Sequence, residues 1–218
     1  MSYKFQSICI TYNNEMTPSK PRRSQVAQAP GRGRATRYRI IEQAARLWSE
    51  SGSAEPSVAE IAQAAGVFPN QITYHFGSKD ALLVHAAFLR LLHDAERFES
   101  IGEAARDAAA FRRNIARVIH AAPSLPLVAR ALAAGITTPE LGPVIDTHLR
   151  ILFRQSEHYL RRIANSRAWK LERQIETEVR TFWSAALGAV LLSHAGVGGT
   201  SADLDLAGVL TVHEQQSQ

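Results

Sequence analysis

Apolar residues recur at helical spacing along the chain from about residue 36 onward, and this period constrains the fold more than any other feature. The first segment with this pattern places five residues on one side of a 3.6-residue helix: Ile40, Ile41, Ala44, Leu47 and Trp48. We find no segment in which apolar and polar residues alternate as they do in a half-buried strand. The sequence therefore predicts an all-α protein.

The composition is that of a globular chain. With 218 residues, of which 45% are hydrophobic and 21% charged, the sequence predicts one or two domains and excludes low-complexity and wholly disordered classes. Cys9 is the only cysteine, so no internal disulfide can form. The histidines show no ligand spacing typical of zinc, and we expect no metal.

Membrane and enzyme classes are not indicated. The longest uncharged apolar run, residues 182–198, has 17 residues and includes Ser184, Ser193 and His194, which favours a buried helix over a membrane span. The first 14 residues resemble no signal peptide, so we expect a cytoplasmic protein. The sequence lacks a glycine-rich phosphate loop, a nucleophile elbow and an HExxH motif, and we expect neither catalysis nor a cofactor.

Positive charge is concentrated near the N-terminus. Residues 1–39 carry eight basic side chains and one acidic, a net charge of +7, whereas residues 40–218 carry 17 basic and 19 acidic, a net charge of −2. Residues 17–34 are also rich in Pro, Ser, Gln and Gly. We interpret residues 1–34 as a basic arm, disordered until it meets a polyanion, with a solvated tail as the alternative.

Local signals predict a helix-turn-helix between residues 57 and 76. Ser57 and Glu60 have capping-box spacing, which starts a helix, and Gly66 is suited to end it. Pro69 is tolerated in the first turn of a third helix, which we predict to end near Tyr74. A small residue before the glycine and an aliphatic one after it, Ala62 and Ile72, permit two helices to cross closely.

These residues carry a resemblance to a known family. The segments at residues 40–48, Ser57–Val67 and Ile72–Leu83 resemble the DNA-binding domain of the tetracycline-repressor (TetR) family. The resemblance implies a three-helix DNA-binding head at residues 35–80 and a larger helical bundle at residues 81–215 for dimerisation and ligand binding. It also implies a homodimeric repressor that binds a palindromic, double-stranded operator and is released by a small-molecule inducer.

Candidate DNA-binding residues follow from this resemblance. It implies that Asn70, Gln71 and Thr73 face base edges, that Tyr74 and His75 meet the backbone or groove wall, and that Lys79 meets a phosphate. Arg37, just after the arm, and the helix start at Ser57 complete the set.

Two residues depart from the family pattern. A small hydroxyl residue is usual where Phe68 stands, and a tyrosine is common where Thr73 stands. We expect Phe68 to staple the turn into the core. Packing under the head is the alternative for Tyr74 and His75 and the main expectation for Phe76.

The rest of the sequence predicts a helical body. A nearly apolar helix at residues 78–98, capped by Ser78, is expected to bridge the head and the body. Further helices are predicted at residues 103–121, 125–134, 140–164, 169–194 and 202–213. The helices at 169–194 and 202–213 are the candidate homodimer interface, with a central helix of a monomeric bundle as the alternative.

The inducer site is the least determined part of the sequence. Many arginines and histidines in the body suggest an anionic ligand, and His148, Phe153 and Trp183 are the candidate ligand-binding residues, although all three are core residues by default. A helical adaptor that binds a protein partner without sequence-specific DNA binding is the alternative function.

Overall fold

The computed structural model describes residues 30–51, 55–196 and 205–215. The chain divides into two compact units, one ending at Ala86 and one beginning at Ala87, which we call the head and the body. Most of the predicted arm, residues 1–29, and the predicted loop at Gly198–Thr200 lie outside the described residues.

The head is built from three helices and the start of a fourth. Helix α1 spans Pro30–Glu50, so it includes residues 30–34, which the sequence analysis assigned to the basic arm. A proline is compatible with the first turn of a helix, because its missing N–H has no intrahelical partner there. Helix α1 packs on α2 (Val58–Ala65), and α2 packs on α3 (Pro69–Phe76).

The boundaries of α2 confirm the local signals. The Ser57 hydroxyl accepts a hydrogen bond from the Glu60 N–H at 3.2 Å, and the Glu60 carboxylate accepts one from the Ser57 N–H at 2.7 Å. Gly66 has φ 60° and ends the helix in the left-handed conformation. The N–H groups of Gly66 and Val67 reach the carbonyls of Gln63 and Ala62, which is the Schellman arrangement.

Helix α4 spans Lys79–Ala104, longer than predicted, and crosses from the head into the body at Ala86. The Ser78 hydroxyl accepts from the Ala81 N–H at 3.0 Å, as the sequence predicted. The next helix, α5 (Ala108–His120), begins later than expected. Its start is set by Asp107, whose carboxylate accepts from the Ala110 N–H at 2.6 Å.

Among the described residues, the remaining body contains four α-helices, one 3-10 turn and two short strands. After α6 (Leu125–Thr137) a 3-10 turn (Pro139–Leu141) leads into α7 (Gly142–Arg167), which is followed by β1 (Trp169–Lys170). Helix α8 (Ile175–His194), the four-residue α9 (Leu206–Val209) and β2 (His213–Glu214) follow. Helix α8 packs against α5, α6, α7 and α9.

Three predictions for the end of the chain are wrong. Residues 169–174 are not helical, the helix expected at 202–213 is reduced to α9 among the described residues, and a strand pair exists where none was expected. The cause is long-range pairing: Trp169 and Lys170 lie antiparallel to Glu214 and His213. Leu210 and Val212 are buried within their own body.

A buried carboxylate secures this segment. Glu178 on α8 is fully buried and accepts hydrogen bonds from the backbone N–H and the hydroxyl of Thr211. Arg173 lies 3.2 Å from the same carboxylate and donates to the Val209 carbonyl.

Within the part of the chain that the structure describes, no single helix has both the length and the apolarity of a membrane span.

Candidate nucleic-acid interface and ligand cavity

Helix α3 has one anchored face and one open face. Ile72 is 1% exposed and fixes the helix in the head, whereas Asn70 and Thr73 are exposed. Tyr74 is 76% exposed, so it does not pack under the head. Helix α3 therefore presents three groups outward along two turns: the Asn70 amide, the Thr73 hydroxyl with its methyl group, and the Tyr74 phenol. This combination can donate to and accept from base edges and sugar-phosphate groups.

Gln71 has a second task at the start of α3. Its side-chain oxygen accepts a hydrogen bond from the Phe68 N–H at 3.1 Å, and its own N–H reaches the Phe68 carbonyl at 2.9 Å. The glutamine thus caps the helix that lacks a hydroxyl cap at Phe68. Its carbonyl oxygen is engaged in this way, and the amide NH₂ is the part of the side chain that remains suited to an acceptor on a base.

The expectation that Phe68 staples the turn into the core is wrong, because the residue is 75% exposed. The physical reason is its position. A hydrophobic staple uses the residue before the N-cap and the fourth residue of the helix, and these positions are held by Val67 and Ile72. Phe68 is itself the N-cap residue and lies outside the staple.

Arg37 turns into the head. Its guanidinium donates to the His75 carbonyl at 2.6 Å and lies 2.8 Å from the His85 ring nitrogen. It also stacks over the Phe76 ring at 4.6 Å from the centroid. The predicted DNA contact of Arg37 is untested by this geometry, but the contacts show that Arg37 positions the end of α3. Sequence reasoning missed this role, since His75 and His85 are 38 and 48 residues away.

His75 is partly enclosed by this cluster. Burial lowers its pKa below the ordinary value of 6.5, and the positive charge of Arg37 lowers it further. The imidazole is therefore neutral near pH 7, as a group that contributes one donor and one acceptor. Phe76 is partly buried and meets the His85 ring edge-on at 5.5 Å, so it belongs to the same cluster.

Two predicted phosphate contacts already have acidic partners. The Lys79 ammonium lies 2.8 Å from the Glu55 carboxylate. At Ser57, the hydroxyl and the N–H are both engaged in the capping box, and the Ser57 N–H is the main cause of the lowered pKa of Glu60. A phosphate at either place would approach a carboxylate as well as a donor.

The body contains an apolar cavity that opens to solvent, and the volume of about 460 Å³ includes part of this solvent. Most of the lining side chains are aliphatic or aromatic, and none is charged. The lining residues are Phe98, Phe111, Ile115, Ile119, Ser156, Tyr159, Leu160, Val179, Phe182, Trp183 and Leu210. The polar atoms of the lining are bonded to protein. The Trp183 ring N–H donates to the Ser156 hydroxyl at 2.9 Å, and the Tyr159 hydroxyl donates to the Phe98 carbonyl at 2.9 Å.

Of the three candidate ligand residues, Trp183 lines this cavity and His148 and Phe153 do not. His148 is buried and stacks on Phe88, with 4.7 Å between ring centroids. Phe153 is covered in part by Arg180, 5.7 Å from its ring. The spacing of Phe111, Ile115 and Ile119 on one face of α5 is the only sequence signal of the cavity, and an ordinary core has the same pattern.

The outward side of α8 changes character along its length. Thr177, Arg180 and Ser184 are exposed in its first half, whereas Leu191 and Leu192 are 49% and 45% exposed near its end. A Cβ added at Gly188 would meet nothing within 4 Å. Helix α8 thus has one face buried in its own body and a second that becomes apolar towards its C-terminus.

Among the described residues, no group of three or more His, Cys, Asp or Glu side chains could hold a metal ion.

Comparisons with known proteins agree with this architecture. Residues 40–86 match the family model of bacterial regulatory proteins of the tetR family, and residues 108–211 match that of a bacterial transcriptional repressor C-terminal domain. No curated protein matches the sequence.

Solved structures are similar over most of the chain. A protein assigned as a transcriptional regulator from Rhodococcus sp. RHA1 is 30% identical, with a TM-score of 0.64 over 79% of this chain and 91% of that one. The fatty acid degradation regulator FadR from Bacillus halodurans is 16% identical, with a TM-score of 0.53 over 85% and 97%. The multidrug binding protein EbrR, solved in complex with imidazole, is 21% identical, with a TM-score of 0.53 over 83% and 98%.

A helix-turn-helix head with an open polar helix, followed by a helical body, defines a DNA-binding transcriptional regulator. The chain belongs to the TetR family of bacterial regulators.

Proposed function

We propose that the chain is a cytoplasmic repressor that binds a palindromic operator as a homodimer and is released by a small-molecule inducer. The open face of α3 is the observation that carries the DNA-binding part, because Asn70 and Thr73 are exposed on a helix that Ile72 anchors. Regulators of this family typically bind operator DNA and small ligands as homodimers, which supports the remaining parts.

Base reading is assigned to Asn70, the Gln71 amide and Thr73. Asparagine and glutamine can bond to adenine, and the threonine methyl and hydroxyl suit thymine or either base. Tyr74 and His75 are placed at the backbone or groove wall. Lys79 contributes a point charge to phosphate, in exchange with Glu55.

The DNA-binding part is tested by selecting duplexes from a random library with the full chain. Asn70→Ala should cost about 1 to 3 kcal/mol at one base pair of each half-site and leave the other positions unchanged. Glu42→Ala, an exposed change on α1, is the matched control. Equal losses for operator and random duplex in Asn70→Ala would reject base reading by α3, and failure to enrich any sequence would favour the adaptor function.

The inducer is placed in the apolar cavity. Because the lining carries no charge and its polar atoms are bonded to protein, the inducer expected here is uncharged and largely apolar, which differs from the anionic ligand inferred from the sequence. Phe98 on α4 lines the cavity, and Lys79 begins the same helix, so α4 is the proposed carrier of the response.

A thermal-shift screen tests this site. A ligand at 100 times its Kd stabilises the protein by about 2.7 kcal/mol, and a true inducer should also release the operator. Ile115→Trp, which fills the cavity, should abolish the shift, whereas Ile136→Trp at a residue that is 83% exposed should not. A shift that survives Ile115→Trp would place the ligand elsewhere.

The dimer interface is placed on the apolar end of α8, at Gly188, Leu191 and Leu192. Close approach of two helices is easiest where one residue has no side chain, and two faces of α8 need two partners. Leu191→Asp with Leu192→Asp should convert dimer to monomer in sedimentation, and Ile136→Asp is the matched control because it too is an exposed apolar residue. A dimer that persists in the double variant would reject this interface.

A further inference from the structure

Phe68 is an exposed aromatic residue at the reading end of α3. It is the N-cap residue of that helix and is 75% exposed, although burial of a phenylalanine side chain away from water is favourable. The core-facing positions around it belong to Val67 and Ile72, so the packing of the described part of the head does not use the Phe68 ring.

The backbone of Phe68 is held in one conformation. Pro69 restricts the preceding residue to extended geometry, and Phe68 has φ −82° and ψ 148°. Its N–H donates to the Gln71 side-chain oxygen at 3.1 Å, and its carbonyl accepts from the Gln71 N–H at 2.9 Å. The direction of the Cα–Cβ bond is therefore set before any partner arrives, which lowers part of the entropic cost of a contact.

The exposed neighbours of Phe68 indicate the partner. Asn70 and Thr73 belong to the open face assigned to base edges, and the N-terminal residues of a recognition helix are those that contact bases in the major groove. The apolar group offered by that groove is the C5-methyl of thymine, which phenylalanine can contact. Resting on the proposed DNA binding, we propose that Phe68 reads a thymine methyl in each half-site of the operator.

The test pairs a protein change with a DNA change. After selection of the preferred duplex with the full chain, each thymine is replaced in turn by uracil, which removes only the methyl group. At one position per half-site, uracil should weaken binding of the unaltered protein about fourfold, the factor expected when one methyl-sized group loses its contact.

The variant Phe68→Ala should lose this sensitivity at that position, whereas Phe68→Leu should keep part of it. Tyr74→Ala is the matched control, since it removes the other exposed aromatic of α3 and should leave the uracil effect intact. Because Phe68 lies outside the core, its variants should keep the unfolding midpoint of the parent.

Three results overturn the inference. Equal uracil losses in the unaltered protein and in Phe68→Ala, or the absence of any thymine whose methyl matters, would remove Phe68 from base reading while the operator and the proposed function stand. Failure to select any duplex would reject sequence-specific binding itself, and this inference with it.

Discussion

The guanidinium of Arg37 on α1 donates a 2.6 Å hydrogen bond to the carbonyl oxygen of His75 near the end of α3. This bond joins the basic start of the head to α3, the helix that we propose faces DNA. It replaces water at one of the carbonyls that a helix end leaves without an intrahelical partner.

Replacing Arg37 by methionine separates positioning from phosphate binding. The head should lose about 1.5 to 3 kcal/mol of stability, as for a hydrogen bond to a charged donor, and operator affinity should fall with an unchanged salt slope. Binding titrations between 50 and 200 mM salt measure the slope. Arg39→Met is the control on an exposed residue of the same helix. A slope reduced by about one unit in Arg37→Met would instead show a phosphate contact.

Gln71→Glu distinguishes the cap from the base contact. Glutamate keeps an acceptor for the Phe68 N–H and adds negative charge at a helix N-terminus, so stability should be equal or slightly higher. Operator affinity should fall, because the amide donor is lost and a carboxylate faces DNA. Gln71→Ala should lose both the cap and the base contact, and the loss of the cap should lower stability by about 0.5 kcal/mol or more. Unchanged operator affinity in Gln71→Glu would leave Gln71 with a capping role alone.

Glu55→Gln should increase DNA affinity. The Glu55 carboxylate competes with phosphate for Lys79, and its removal should strengthen binding to operator and random duplex by about the same small factor. Lys79→Ala should weaken both and flatten the salt slope by about one unit. Stability should change by less than about 1 kcal/mol in either variant, because the pair is partly exposed. Mobility shifts at two salt concentrations measure all of these effects.

The lowered pKa of His75 gives the head a defined pH dependence. The unfolded chain takes up a proton near pH 6.5 and the folded head resists it, so the contribution of His75 is complete above pH 6.5 and declines as the pH falls through that value. The unfolding midpoint should therefore decrease on acidification, and His75→Gln should reduce this decrease. His158→Gln, at an exposed position in the body, should not. Equal pH profiles for His75→Gln and the parent would contradict the burial of His75.

Glu178→Gln should destabilise the body by about 2 to 3 kcal/mol, because it removes a buried charge that both Arg173 and Thr211 use. Glu172→Gln, at an exposed position, is the control and should change stability by less than about 0.5 kcal/mol. Urea unfolding provides the measurement. A neutral result for Glu178→Gln would mean that the segment around Thr211 is held by apolar burial alone.

The sequence predicted the parts of the fold that depend on neighbours. The capping box of Ser57 and Glu60, the helix end at Gly66 and the cap at Ser78 use partners within five residues, and the structure confirms each. The family and the all-α class followed from these signals. The DNA-binding residues and the domain boundaries remain predictions.

The features that the sequence did not predict depend on residues that are distant in the chain. Trp169 lies in a strand because Glu214 pairs with it, and no local pattern contains that information. Arg37 turns inward because His75 and His85 are brought beside it by the fold. The uncharged lining of the cavity was not predicted for a related reason, since counting cations in the sequence does not show where in the fold they lie.

The ion pair of Lys79 and Glu55 has a consequence for the search along a chromosome. If Lys79 meets phosphate as proposed, it gains little from an arbitrary phosphate, because one anion, the Glu55 carboxylate, is exchanged for another. Such an exchange would keep binding to nonspecific DNA brief, so that the residence time of the protein on DNA depends mainly on its contacts with the bases.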